Sequence, residues 1–203
     1  MLAAPPERFV PEELGGTLLA AEHLGRYWWA APAVAGKDVL DAGCGVGFGA
    51  QLLWEAGASS VTGVDASEEA VAAARERCSQ PVALQVADLE HLPLEDESVD
   101  LAVCFEVIEH VARPERAIAE LRRVLRPAGT LLVSTPNRLA SSVDNPHHRR
   151  ELSPAELRAA LEASFGHVEA MAQRSWFASL VTRLEETGGD PARELDLALR
   201  SDV

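Results

Sequence analysis

The chain has 203 residues, enough for one compact domain with a small cap and too few for two full domains. With 47% hydrophobic and 25% charged residues, its composition is that of a globular chain rather than a disordered one. The 32 acidic residues outweigh 18 basic ones, for a formal charge of −14. That balance disfavours a nucleic-acid partner and leaves room for a small acidic ligand at one local site.

The longest apolar run, residues 27–35, is too short to span a bilayer. The first residues lack the basic-then-apolar pattern of a signal peptide. A cytoplasmic protein with no membrane partner is therefore expected, and the oligomeric state stays open. Cys44, Cys78 and Cys104 form no C-x-x-C pair. Buried reduced thiols are expected, not a disulfide framework or a thiolate zinc site.

In chain order, a helix-like stretch over Leu14 to Trp29 lies in residues 1–36, a segment read as a helical lid on a domain over 37–203. Val39 to Asp41 reads as the first strand, followed by a glycine loop and a helix over Phe48 to Ala56. Ser60 to Val64 is a second strand. Ser67 then caps a helix to Cys78, with Glu68 and Glu69 in the turn where the helix dipole favours acids. Val82 to Val86 and Leu101 to Phe105 are the third and fourth strands. Pro114 opens a helix with an apolar stripe at Ile118, Leu121 and Leu125.

Gly129 ends that helical region, and Thr130 to Thr135 is a fifth strand. A polar loop over 136–152 leads to the capping box Ser153-Pro154-Ala155-Glu156 and a helix with Leu157, Leu161 and Phe165 on one side. His167 to Ala172 reads as a sixth strand, and the tail after Gln173 is weakly periodic. Strands alternating with helices predict an α/β fold, a doubly wound, mostly parallel sheet with helices on both faces.

The loop Asp41-Ala42-Gly43-Cys44-Gly45-Val46-Gly47-Phe48-Gly49 carries the strongest functional signal. Glycines permit positive φ and close backbone approach, and the loop aims amides and a helix N-terminus at a ligand. The dinucleotide fingerprint fails, because Phe48 or Ala50 occupies the place of its third glycine. Asp65 ends the neighbouring strand, where an acid can accept both hydroxyls of a ribose. Asp88 follows the third strand, placed to accept from an adenine amino group.

The motifs VLDAGCGVGFG, GVDAS, ADLEHLPLEDESVDLAVCFEVIEHV and LRRVLRPAGTLLVSTPNR together resemble the class I S-adenosylmethionine-dependent methyltransferases, from about Val39 to Phe165. Ala128 stands where that family has a glycine. The resemblance implies a Rossmann-like sheet of order 3-2-1-4-5-(7)-6 with its last strand antiparallel. It implies S-adenosyl-L-methionine as cofactor and S-adenosyl-L-homocysteine as product. It also implies a pocket lined by Asp41, Gly43, Cys44, Gly45, Asp65, Ala66, Asp88, Leu89 and Phe105.

Glu7 to Pro11, Glu22-His23, Arg26-Tyr27 and the stretch Asn145-Pro146-His147-His148 with Glu151-Leu152 resemble a subgroup of glycan and natural-product pathways. That subgroup implies a lid helix from which Arg26 pairs with the cofactor carboxylate. A solvated arginine on a helix face is the alternative.

Methyl transfer is an in-line displacement that requires positioning, exclusion of water and, for a hydroxyl acceptor, removal of a proton. A helical turn after the fourth strand would set Glu106, Glu109 and His110 on one face. His110 is then the candidate general base, unless it and Glu109 serve to hold loop backbone. His147 and His148, in the loop after the fifth strand, complete the catalytic candidates.

No metal is assigned. The E-x-x-E-H pattern with a distant histidine also resembles the metal-dependent small-RNA 2′-O-methyltransferases, which implies a mixed oxygen and nitrogen site. The leading expectation is O-methylation of a small polar acceptor, sugar-bearing or of natural-product type. The alternatives are an RNA 3′-terminal 2′-O-methyltransferase and a non-catalytic cofactor-binding regulator.

Overall fold

The computed structural model describes residues 17–78, 81–140 and 145–173. All elements below lie in the compact unit Met1–Met171. Helix α1 (Leu18–Val34) is followed by β1 (Asp38–Ala42), α2 (Phe48–Glu55), β2 (Ser60–Asp65), α3 (Glu68–Arg77), β3 (Ala83–Val86) and β4 (Val99–Phe105). A single 3₁₀ turn at Ile108–His110 leads to α4 (Pro114–Val124), β5 (Leu125–Ser134) and α5 (Pro154–Glu162). The five strands form one sheet of order β3-β2-β1-β4-β5, and every pairing is parallel. The doubly wound α/β architecture read from the alternation is therefore present.

Strand residues divide between the two faces with a period of two. Val39, Leu101, Val103 and Phe105 pack with Tyr27, Ala30 and Val34 of α1 and Leu53 of α2. Leu40, Ala42, Ala102 and Cys104 pack with Ile118, Leu121 and Val124 of α4. Each cysteine is a free thiol, with Cys44 and Cys104 buried. Among the described residues no helix is long and apolar enough to cross a membrane.

The caps follow the sequence. Ser67 accepts from the Ala70 amide at 3.2 Å, and both halves of the box at Ser153 are formed. Three boundaries differ. Helix α1 is capped by Thr17 and runs through Pro32 to Val34, past the expected end at Trp29, because Ala30 and Val34 are fully buried. The strand expected at Thr130 begins at Leu125 instead. Pro127 disfavours helix at the residue before it, and Val99 pairs with Leu125 before a register shift brings Leu101 opposite Thr130. Gly129 thus lies inside the strand. The expected sixth strand at 167–172 is not formed, since those residues find no strand partner among the described ones. The expectations for residues 14–16 and for the tail beyond Gln173 lie outside the described residues.

Gly49 in the first turn of α2 lets α1 approach, because a β-carbon there would overlap the Tyr27 ring. Gly49→Ala is expected to lower the unfolding free energy by about 1–3 kcal/mol, the usual cost of overpacking, as read from urea titrations. A change within about 0.5 kcal/mol, the range of inconsequential surface substitutions, would contradict this packing.

Candidate active site

The bend after β1 is held by β2. The amides of Gly43 and Cys44 both donate to the Val64 carbonyl, at 2.8 and 2.9 Å. The Gly45 amide donates to Asp65 Oδ2 at 2.9 Å, and Asp65 Oδ1 accepts the Ser67 amide at 2.9 Å. Gly43, Gly45 and Gly47 all have positive φ, which an L side chain adopts only under strain. Gly43 must also lack a side chain because Val107 packs against it, whereas a β-carbon on Gly45 would meet nothing within 4 Å among the described residues. The bend is therefore supported on one side and open on the other.

Asp41 is completely buried beneath the bend. Its Oδ1 accepts the Tyr27 hydroxyl at 3.1 Å, and its Oδ2 has no hydrogen-bond partner among the described residues. The Tyr27 ring stands edge-on to Phe105, with centroids 5.2 Å apart. The neighbouring Arg26 sets Nη2 3.4 Å from Glu106 Oε1, while its Nη1 is buried without a hydrogen-bond partner among the described residues. Ala66 and Asp88 are exposed and Leu89 is buried. Asp88 Oδ1 caps its own turn by accepting the Glu90 amide at 2.9 Å.

The expected helical turn over 106–110 is corrected. Only Ile108–His110 form one 3₁₀ turn, and Glu106 has a left-handed φ of 56°. That bend is held from β5, where Ser134 accepts the Glu106 amide at 3.0 Å and its hydroxyl donates to Glu106 Oε1 at 2.8 Å. Glu109 points inward and is fully buried. Its Oε2 accepts the Thr135 hydroxyl at 2.8 Å, and its carbonyl accepts the amides of Arg149 and Arg150.

His110 Nδ1 lies 2.9 Å from the His147 carbonyl and its Nε2 4.0 Å from Glu109 Oε1. His148 Nδ1 lies 2.7 Å from Glu151 Oε1. The structure thus gathers Glu109, His110 and His148, while the Glu106 carboxylate turns to Ser134 and Arg26. His147 contributes its carbonyl, and its side chain is exposed.

Sequence reasoning missed Tyr27, Thr135 and Glu151 as supporting groups. For Tyr27 a signal existed, since it is the one hydroxyl-bearing member of the Tyr27-Trp28-Trp29 cluster.

Burial is the main cause of every large pKa shift here. It pushes the Glu109 carboxyl up to about 8, helped by the charge of Glu106 and opposed by hydrogen bonds and Arg26. It pushes Asp41 up to about 7, with Asp65 adding and the Tyr27 hydrogen bond opposing. An unfolded Asp41 ionises near 3.8, so the folded chain keeps a proton there that the unfolded chain has lost. Its stabilising contribution is full below about pH 4 and is lost as pH rises to about 7. Asp41→Asn is expected to remove that loss. Between those limits the unfolding free energy of the ligand-free wild type should fall relative to the variant by up to ~1.4 kcal/mol per pH unit. Parallel pH profiles would contradict the assignment.

A family profile described as a methyltransferase domain matches residues 40–133. A probable S-adenosylmethionine-dependent methyltransferase of Mycolicibacterium smegmatis is 46% identical over 140 residues, covering 66% of this chain and 54% of the relative. The ubiquinone biosynthesis O-methyltransferase of Coxiella burnetii is 39% identical over 106 residues, 51% of this chain and 45% of the relative. This chain thus spans about half the length of these curated relatives. Among solved structures, that of the [4+2]-cyclase SpnF is similar with a TM-score of 0.62 and 31% identity, covering 72% of this chain and 57% of that one. With its parallel sheet and its glycine bend clamped by β2, the chain carries a methyltransferase domain over residues 40–133 and is similar to S-adenosylmethionine-dependent methyltransferases.

Proposed function

We propose that the protein transfers a methyl group from S-adenosylmethionine to an oxygen of a small polar acceptor, of sugar-bearing or natural-product type. The observation that carries the cofactor assignment is the buried Arg26 Nη1 with no hydrogen-bond partner among the described residues. A buried guanidinium donor without an acceptor is costly, and a carboxylate such as that of the cofactor's amino-acid part satisfies it with a charge-assisted bond. The residues fit the rest of the ligand as well. The Gly45 side of the bend has room. Asp65 already takes one amide on each oxygen and keeps a lone pair on each for a diol. Asp88 at the end of β3 is the acceptor for the adenine amino group.

When bound, the cofactor supplies an electrophilic methyl group on a sulfonium. The chain's own part is to position and to move a proton. Helix α1 covers the site through Tyr27 and Arg26. Glu109 and His110 lie at the carboxyl edge of the sheet, where ligands of doubly wound folds bind, and His110 takes the acceptor's proton. Oxygen as the acceptor atom is supported by His110 as proton acceptor and by the likeness to a relative named as an O-methyltransferase.

Calorimetry with S-adenosylhomocysteine tests the cofactor reading. One equivalent should bind, and Arg26→Ala and Asp65→Ala should each weaken binding at least tenfold, the scale of a lost charge-assisted bond. Unchanged affinity in both variants would refute the assignment. With methyl-labelled cofactor and a panel of glycosides and hydroxylated metabolites, the expected product is a methyl ether. Transfer only to amines would overturn the choice of oxygen.

A further inference from the structure

We propose that Glu106 is a positioning residue. It holds the Arg26 guanidinium so that the unspent nitrogen meets the carboxylate of the bound cofactor, a role that rests on the methyltransferase reading. A strained backbone, a carboxylate aimed from another strand and a half-committed guanidinium together carry it.

Glu106 has a φ of 56°, a region that an L side chain enters only at a cost and glycine enters freely. Such strain persists only where the surroundings impose it, and it concentrates where one side chain must stand in one place. Ser134, at the end of β5, does the imposing. Its carbonyl accepts the Glu106 amide at 3.0 Å, and its hydroxyl donates to Glu106 Oε1 at 2.8 Å. The next residue, Val107, packs against Gly43. The turn that carries Glu106 is thereby seated against the glycine bend, and its carboxylate is only 19% exposed.

Arg26 comes from α1. Its Nη2 lies 3.4 Å from Glu106 Oε1, and its side chain is 14% exposed. A guanidinium is a planar fork whose donors keep fixed directions. Anchoring Nη2 therefore limits where Nη1 points, and Nη1 is the buried donor with no hydrogen-bond partner among the described residues. The following residue, Tyr27, is fixed to Asp41, so α1 is held at two consecutive side chains.

The negative charge of Glu106 by itself opposes an incoming carboxylate. Its aim on Arg26 and its charge thus act in opposite directions on cofactor binding. A variant that keeps the charge separates them. Glu106→Asp does so, because it withdraws the carboxylate by one methylene and leaves it ionised.

The test is calorimetry of the full-length chain with two probes. One is S-adenosylhomocysteine. The other is decarboxylated S-adenosylhomocysteine, which keeps the nucleoside, the thioether and the amine. The wild type should prefer the first by about tenfold or more, the scale of a charge-assisted bond, and Arg26→Ala should abolish that preference. Glu106→Asp should weaken the first probe by about tenfold and leave the second within about twofold. Ser134→Ala, the milder change, should cost about threefold on the first probe alone. Circular dichroism verifies that each protein is folded, and Ser134→Ala decides if Glu106→Asp is not. Equal losses on both probes, as a purely structural role or a direct contact with the cofactor amine gives, overturn the proposal. Unchanged affinity for S-adenosylhomocysteine in both variants overturns it too. If Arg26→Ala abolishes the preference while Glu106→Asp and Ser134→Ala keep it, only the positioning role fails. If Arg26→Ala keeps the preference, the assignment of Arg26 to the cofactor carboxylate fails, and the positioning role with it.

Discussion

The backbone clamp between the end of β1 and the end of β2 is the constraint on which the site depends. Three consecutive amides, those of Gly43, Cys44 and Gly45, are all spent on Val64 and Asp65. Spending them there forces the chain to turn sharply, and the turn needs positive φ at its glycines. The turn in turn buries Asp41, which the Tyr27 hydroxyl partly compensates. Helix α1 is thereby fixed to the same few residues, and Arg26 is carried to Glu106 with it. One local hydrogen-bond pattern thus places an arginine from a helix that precedes the whole sheet.

Much of the fold was legible because its signals are local. Ser67 and the box at Ser153 announce their helices within four residues, and β1 and β2 end where the glycine bend and Asp65 say they should. The start of β5 was not legible, because Leu125 continues the helical spacing of Ile118 and Leu121 while its backbone has already become extended. Only the pairing of Leu125 with Val99 reveals this, and that is a long-range contact. Residues 167–172 alternate as a strand does but lack a neighbouring strand among the described residues. Periodicity reports a preference, whereas a strand requires a partner.

The site was half legible for the same reason. The glycine bend and the place of Asp65 at the end of β2 were readable from motif and position, whereas the pairing of Arg26 with Glu106 was not. The grouping of Glu109 with His110 followed from spacing, but the departure of Glu106 from it did not, since its left-handed bend is imposed by Ser134 on another strand. Similarly, two adjacent histidines have opposite fates. His148 turns inward to Glu151, whereas His147 faces solvent and supports His110 through its carbonyl. The Asn145 side chain accepts the His147 amide at 3.0 Å and meets the His148 ring at Nε2, 2.8 Å away.

Helix α1 carries, next to Arg26 and Tyr27, the indoles of Trp28 and Trp29, 62% and 51% exposed. Fluorescence from such rings follows the polarity of their surroundings. Whatever lifts or seats this helix therefore also changes the colour and intensity of the light the protein emits. Two of the chain's four tryptophans thus sit on the segment that carries Arg26 and contribute an optical signal from its surroundings.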